Sequence, residues 1–129
     1  MAKVVGLGGV FFKSSDPGNL AKWYKSHLDL PIDVDNPSYG ASFQSADVPA
    51  GGYQVWSPFK ADTTYLNPSK KQFMFNLMVD DLDGALEQVA AGGAEIVGEI
   101  DESEYGRFGW FIDPEGNKVE LWEPPKPSV

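Results

Sequence analysis

Between Phe73 and Val79 the chain alternates strictly, with Phe73, Phe75, Leu77 and Val79 on one face and Met74, Asn76 and Met78 on the other. A period of two is the signature of a strand with one buried side. Asp80 and Asp81 follow, and then Leu82, Ala85, Leu86 and Val89 recur at helical spacing up to Ala90-Ala91-Gly92-Gly93, where glycine stops the helix. Three more strands are predicted, over residues 95–100, 107–112 and 118–122. Asp113-Pro114-Glu115-Gly116-Asn117 forms the turn between the last two.

The first half has the same order of elements. Residues 4–13 are apolar and β-rich. Ser14-Ser15-Asp16-Pro17 then supplies a capping side chain followed by a proline suited to a first helical turn. Leu20, Trp23, Tyr24 and Leu28 lie at helical spacing, and Pro31 ends the run. Short strands are predicted at 32–34, 40–44 and 53–57, separated by Asn36-Pro37-Ser38 and Pro49-Ala50-Gly51-Gly52. Residues 60–71 read as a polar loop joining the halves. Asp16 and Asp81, each opening a helix, stand 65 residues apart, and the same offset pairs Leu20 with Ala85 and Ala21 with Leu86. Strand-helix-strand-strand-strand therefore occurs twice, which points to an internal duplication.

Composition narrows the classes. The chain has no cysteine, which removes disulfides, thiolate metal sites and cysteine nucleophiles. A formal charge of −9 repels phosphate backbones, so nucleic acid is not expected as a partner, whereas cationic ligands are attracted. No apolar run approaches a bilayer span, and Met1 to Val10 lacks the apolar region and cleavage site of a signal peptide. The expectation is a cytoplasmic domain over residues 1–125, with module one at about 4–59, module two at about 72–123, and a disordered tail at 126–129.

Three segments carry a resemblance: GGVFFKSSDPGNLAKWYKSHLDLPI, FNLMVDDLDGALEQVAAGGAEI and FGWFIDPEGNKVELWEPP. They resemble the opening, the start of the second module and the last hairpin of vicinal-oxygen-chelate proteins, the glyoxalase, bleomycin-resistance and extradiol dioxygenase group. The resemblance covers roughly Leu7 to Pro124. It implies an α+β fold in which two βαβββ modules form a curled mixed sheet, as half-barrels with helices outside, and a homodimer that completes the pocket.

Catalytic members of that group hold a divalent metal through histidine or glutamate on the first and last strands of each module. Carried over position by position, these fall on Gly9, which has no side chain, and on Met74, whose thioether suits a hard cation poorly. They also fall on either Gln54 or Trp56, and on Glu120, the one ligand-type position retained. The only histidine, His27, reads as a helix-end residue. A divalent metal is therefore disfavoured and no cofactor is expected.

By alternation the concave face should carry Gly9, Phe11 and Lys13 from the first strand, Met74, Asn76 and Met78 from the fifth, and Lys118, Glu120 and Trp122 from the eighth. The candidate ligand-binding set is Phe11, Trp56, Met74, Asn76, Glu120, Trp122, Arg107 and Trp110, with Glu120 the candidate catalytic group. Arg107 can clamp a ligand carboxylate or form an ion pair with Glu102 or Glu104. Two functions follow from the resemblance. One is a metal-free protein that binds an aromatic or cationic small molecule. The other is a divergent lyase, isomerase or dioxygenase acting on a small oxygenated substrate around Glu120.

Overall fold

The structure is a computed structural model that describes residues 1, 3, 5, 7, 9–33, 35 and 39–126. The second half forms its full set of elements in the expected order. These are β1 (Phe75–Met78), α2 (Leu82–Ala91), β2 (Glu95–Ser103), β3 (Gly106–Ile112) and β4 (Lys118–Glu123), preceded in the chain by α1 (Pro17–Leu28). The four strands make one mixed sheet in the order β1-β4-β3-β2. β4 pairs parallel with β1 and antiparallel with β3, while β2 and β3 form an antiparallel pair with an irregularity between Val97 and Asp101.

Both helices begin as their sequence signals require. The Asp16 side chain accepts a hydrogen bond from the Asn19 amide at 3.2 Å, and that of Asp81 accepts from the Gly84 amide at 3.1 Å. Each satisfies a donor that a helix start leaves free. Both helices lie on one face of the sheet. The core there joins Leu20 and Tyr24 of α1, Leu82, Ala85 and Val89 of α2, and Phe111, Val119 and Leu121 of the sheet. Trp23 of α1 donates its indole N–H to the Gly92 carbonyl at the end of α2, at 3.0 Å, which ties the two helices together.

The hairpin between β3 and β4 turns on Asp113. Its carboxylate accepts from the amides of Glu115 and Asn117, from the Asn117 side chain, and from the Tyr24 hydroxyl at 2.8 Å. Gly116 takes φ +83°, which an L side chain rarely adopts. One turn is thus fastened to itself and to α1.

Among the described residues the arrangement of two half-barrels expected from the sequence is not seen. Among the described residues the first half contributes α1, a short 3₁₀ turn at Ser45–Asp47 and one isolated bridge between Ile32 and Ala41, but no paired strand. The fold is α+β with a single open four-stranded sheet. Val4, Gly6 and Gly8 of the first expected strand, Val34 of the second, and residues 127–129 of the expected tail lie outside the described residues. The physical reason is local. Alternation specifies which side chains share a face, but a three- to five-residue strand is stable only against further strands. Residues 40–44 and 53–57 form no ladder apart from the bridge at Ala41, and Phe43 and Trp56 are exposed. Among the described residues no helix is long and apolar enough to cross a membrane.

Candidate functional site

The sheet face opposite the helices is built in rows by strand register. Asn76 of β1, Glu120 of β4 and Trp110 of β3 stand side by side, and Met78, Trp122 and Phe108 form the next row. Lys118 pairs with Ile112 in the row beyond. Alternation along β4 sends Val119 and Leu121 to the core and leaves Lys118, Glu120 and Trp122 on this face.

Glu120 is the hub of the face and is buried. One carboxylate oxygen accepts from the Asn76 amide at 2.7 Å. The other accepts from the Trp110 indole N–H at 2.8 Å and from the Tyr65 hydroxyl at 2.5 Å. Three neutral donors thus solvate a buried carboxylate in place of water, which is what keeps such a group tolerable away from solvent. Tyr65 arrives from the connector between the halves. Burial, with the hydrogen bond to Glu120 and its charge, pushes the phenol far above its ordinary value, so it stays protonated and donates.

Lys118 lies beside this cluster. Its ammonium donates to the Tyr65 carbonyl at 2.5 Å and sits 5.1 Å from the centre of the Tyr65 ring and 5.8 Å from that of Trp110. Burial lowers its pKa, and the nearby Glu120 charge opposes that shift. In the next row Trp122 donates its N–H to the Tyr105 carbonyl at 2.7 Å. It stacks on Phe108 at 6.0 Å and 4°, and meets Tyr53 edge-on at 4.9 Å. Gly106, at φ +114°, lets the chain pass directly against the Glu123 carbonyl and this indole, where a side chain would collide. Met74, just before β1, lines an open cavity of about 690 Å³ together with the connector.

The structure therefore brings Asn76, Trp110, Glu120 and Trp122 together on one face, while Met74 lines the connector cavity. It does not bring Phe11, Trp56 or Arg107 there. Phe11 is 94% and Trp56 79% exposed, and neither lies on the sheet. Gln54, the alternative to Trp56, instead accepts from the Leu7 amide at 2.6 Å. Arg107 lies on the helix side, where its guanidinium grips Asp83 through two hydrogen bonds of 2.9 and 3.2 Å and Glu102 through one of 3.0 Å. These partners raise its pKa further, and Glu102 is one of the ion-pair partners the sequence suggests. Sequence reasoning missed Tyr65 and Phe108. Phe108 shares the parity of Trp110 and was available from alternation. The only signal for Tyr65 is that it is the one aromatic residue in the polar stretch 60–71.

Gly9, Met74 and Glu120 do not make a donor set for a divalent cation. Gly9 has no side chain, Met74 offers a thioether, and both Glu120 oxygens already accept from neutral donors. His27 packs against Trp23 on the helix side, and no group of three or more histidine or acidic side chains suited to a metal occurs among the described residues.

Comparison with known proteins identifies the family. Residues 9–122 match the family described as Glyoxalase-like domain. Among solved structures, TioX from Micromonospora sp. ML1 is 20% identical over 87% of this chain and 93% of its own, with a TM-score of 0.53. A member of the glyoxalase/bleomycin resistance protein/dioxygenase superfamily from Sphaerobacter thermophilus is 20% identical over 85% and 90%, with a TM-score of 0.49. TnmS3, an antibiotic binding protein from Streptomyces sp. CB03234, is 27% identical over 42% of this chain, with a TM-score of 0.37. That match spans 45% of the TnmS3 chain. No curated protein matches the chain significantly.

Proposed function

Because the chain belongs to the glyoxalase-like domain family of the vicinal-oxygen-chelate superfamily, we propose that it binds an aromatic or cationic small molecule on the Glu120 face, without a catalytic metal. The observation that carries this reading is the pair of rows Asn76–Glu120–Trp110 and Met78–Trp122–Phe108. One row supplies a fixed polar anchor and the other an aromatic layer packed under Tyr53, the combination of polar and apolar groups on which small-molecule sites are generally built. The acidic balance of the chain favours a cationic ligand over an anionic one. The metal-free part of the proposal is supported by the donor chemistry of Gly9, Met74 and Glu120.

The test is a thermal-shift screen of aromatic and cationic small molecules, since a ligand that binds only the folded state must stabilise it. A hit should raise the melting temperature of the protein, and Asn76→Ala and Glu120→Gln should each shrink that shift. A validated hit whose affinity is unchanged in both variants would place the site elsewhere. Metal analysis checks the remaining part: stoichiometric metal retained by the protein and lost in Glu120→Gln would overturn it.

The partner we propose is a second copy of the chain. Phe11, Phe43, Tyr53, Val55 and Trp56 of the same half are exposed, and a second copy would cover such side chains. Light scattering should give twice the 14.1 kDa chain mass at micromolar concentration, and a monomer would refute this part.

A further inference from the structure

The polar connector 60–71 sends one aromatic side chain onto the sheet, and the sheet receives it with three distinct contacts. The Tyr65 hydroxyl donates to a Glu120 oxygen that already accepts from Trp110. The ring stands edge-on to Trp110, 6.2 Å between centres at 86°, and edge-on to Phe59 at 5.5 Å and 70°. The Lys118 ammonium lies 5.1 Å from its centre. A charge-assisted O–H bond, edge-to-face aromatic packing and a cation near the π-system together match a phenol and no other common side-chain chemistry.

Tyr65 is nevertheless loosely owned by the fold. It is 41% exposed, outside any helix or strand, among turns rich in threonine and serine. Apart from its own contacts, a Ser69 hydroxyl bond to the Gly116 carbonyl at 2.8 Å is the only side-chain hydrogen bond from residues 60–71 to the sheet or its hairpin among the described residues. Segments with few buried contacts open at low free-energy cost.

We propose that the corner formed by Glu120, Trp110 and Lys118 is a recognition subsite for a phenol ring, occupied by the chain's own Tyr65 until a phenolic ligand displaces it. This rests on the reading of the Glu120 face as the ligand site and specifies it. Tyr65 then acts as a competitor held in the same molecule. The apparent affinity for an external phenol is reduced by the fraction of molecules in which the connector is open.

The experiment titrates p-cresol and its O-methyl ether into the protein and into Tyr65→Phe, Tyr65→Ala and the double variant Tyr65→Ala/Glu120→Gln, read by tryptophan fluorescence and by NMR of the indole N–H groups. Circular dichroism checks that each variant is folded. Removing the competitor should tighten p-cresol binding on the order of tenfold in Tyr65→Ala. A smaller gain is expected in Tyr65→Phe, which keeps the ring and loses only the hydroxyl. The double variant, whose neutral amide oxygen still accepts but without charge, should lose most of the gain, and the ether should bind none of the proteins. Tyr65→Ala binding p-cresol no tighter than the unmodified protein overturns the occupancy while leaving the Glu120 face intact as a site. Equal binding of the ether overturns phenol recognition. Failure of p-cresol to bind any of the proteins overturns the subsite itself, and the thermal-shift screen then decides the broader reading separately.

Discussion

Replacing Glu120 by alanine removes the acceptor of three donors at once, and the structure sets the size of the effect. Asn76 and Tyr65 are partly open to water and can rehydrate after small rotations. The Trp110 indole is more enclosed, and its N–H lies between the sheet and the Tyr65 ring. Stranding one such donor costs about 1–3 kcal/mol. Release of the connector, which loses its hydroxyl anchor, adds about 1 kcal/mol. Relief of a buried charge offsets part of this. The net expectation is a loss of about 2–3 kcal/mol, or a fall in Tm of roughly 10 °C for a domain of this size. Glu120→Gln keeps an oxygen for Trp110 and Tyr65, and the Asn76 amide can turn over to accept from the new NH₂, so it should cost only about 1 kcal/mol. Urea denaturation followed by tryptophan fluorescence and far-UV circular dichroism separates the two. If alanine proves no more destabilising than glutamine, the carboxylate is not the hub of the face and the reasoning fails.

Other expectations are more local. Leu121→Ala empties a fully buried position between the sheet and the helices and should cost about 2–5 kcal/mol in the same denaturation assay; a loss below about 1 kcal/mol would mean that this face is not the core. Arg107→Ala breaks exposed pairs with Asp83 and Glu102, so stability should change by no more than about 1 kcal/mol, and the affinity for any ligand of the Glu120 face should not move. Glu115 is held below its ordinary pKa, chiefly by the Ser14 hydroxyl and then by backbone donors of Ser15 and Asp16. A carboxylate lowered on folding stabilises above its unfolded pKa, near 4.5, and loses that contribution as pH falls through the folded one. Glu115→Gln should therefore flatten the acid limb of a Tm-against-pH curve below about pH 5, and an unchanged limb would count against the contact.

What the sequence discloses follows from the range over which its signals act. Asp16 and Asp81 cap helices through atoms three residues away, and the alternation from Phe73 to Val79 needs only the strand itself, so both were legible. Parity also separates Arg107 from Trp110: an odd spacing along β3 sends them to opposite faces, which is why Arg107 meets Asp83 of α2 rather than Glu120. Tyr65 was not legible, because nothing in residues 60–71 states where a loop will land. The first-half strands are not seen among the described residues for a related reason. Extended sequence at 40–44 and 53–57 is a necessary condition for a sheet, and the partner that would complete the pairing is not written in those residues. The metal argument needed only side-chain identity at Gly9 and Met74. What the structure added is that both oxygens of the remaining carboxylate accept hydrogen bonds from neighbouring side chains.

The parallel pairing of β1 with β4 has a consequence for biosynthesis. β4 is the central bridge of the sheet, lying between β1 and β3, and it is the last of the four strands to be made. While a ribosome is still adding residues before Lys118, β1 has no neighbour, and β2 and β3 can only form a two-stranded hairpin, which is marginal alone. α1 and α2 meanwhile lack Val119 and Leu121, two of the three buried sheet residues in the core they share. The nascent chain should therefore remain protease-sensitive until residue 123 has cleared the exit tunnel, and then fold in one step.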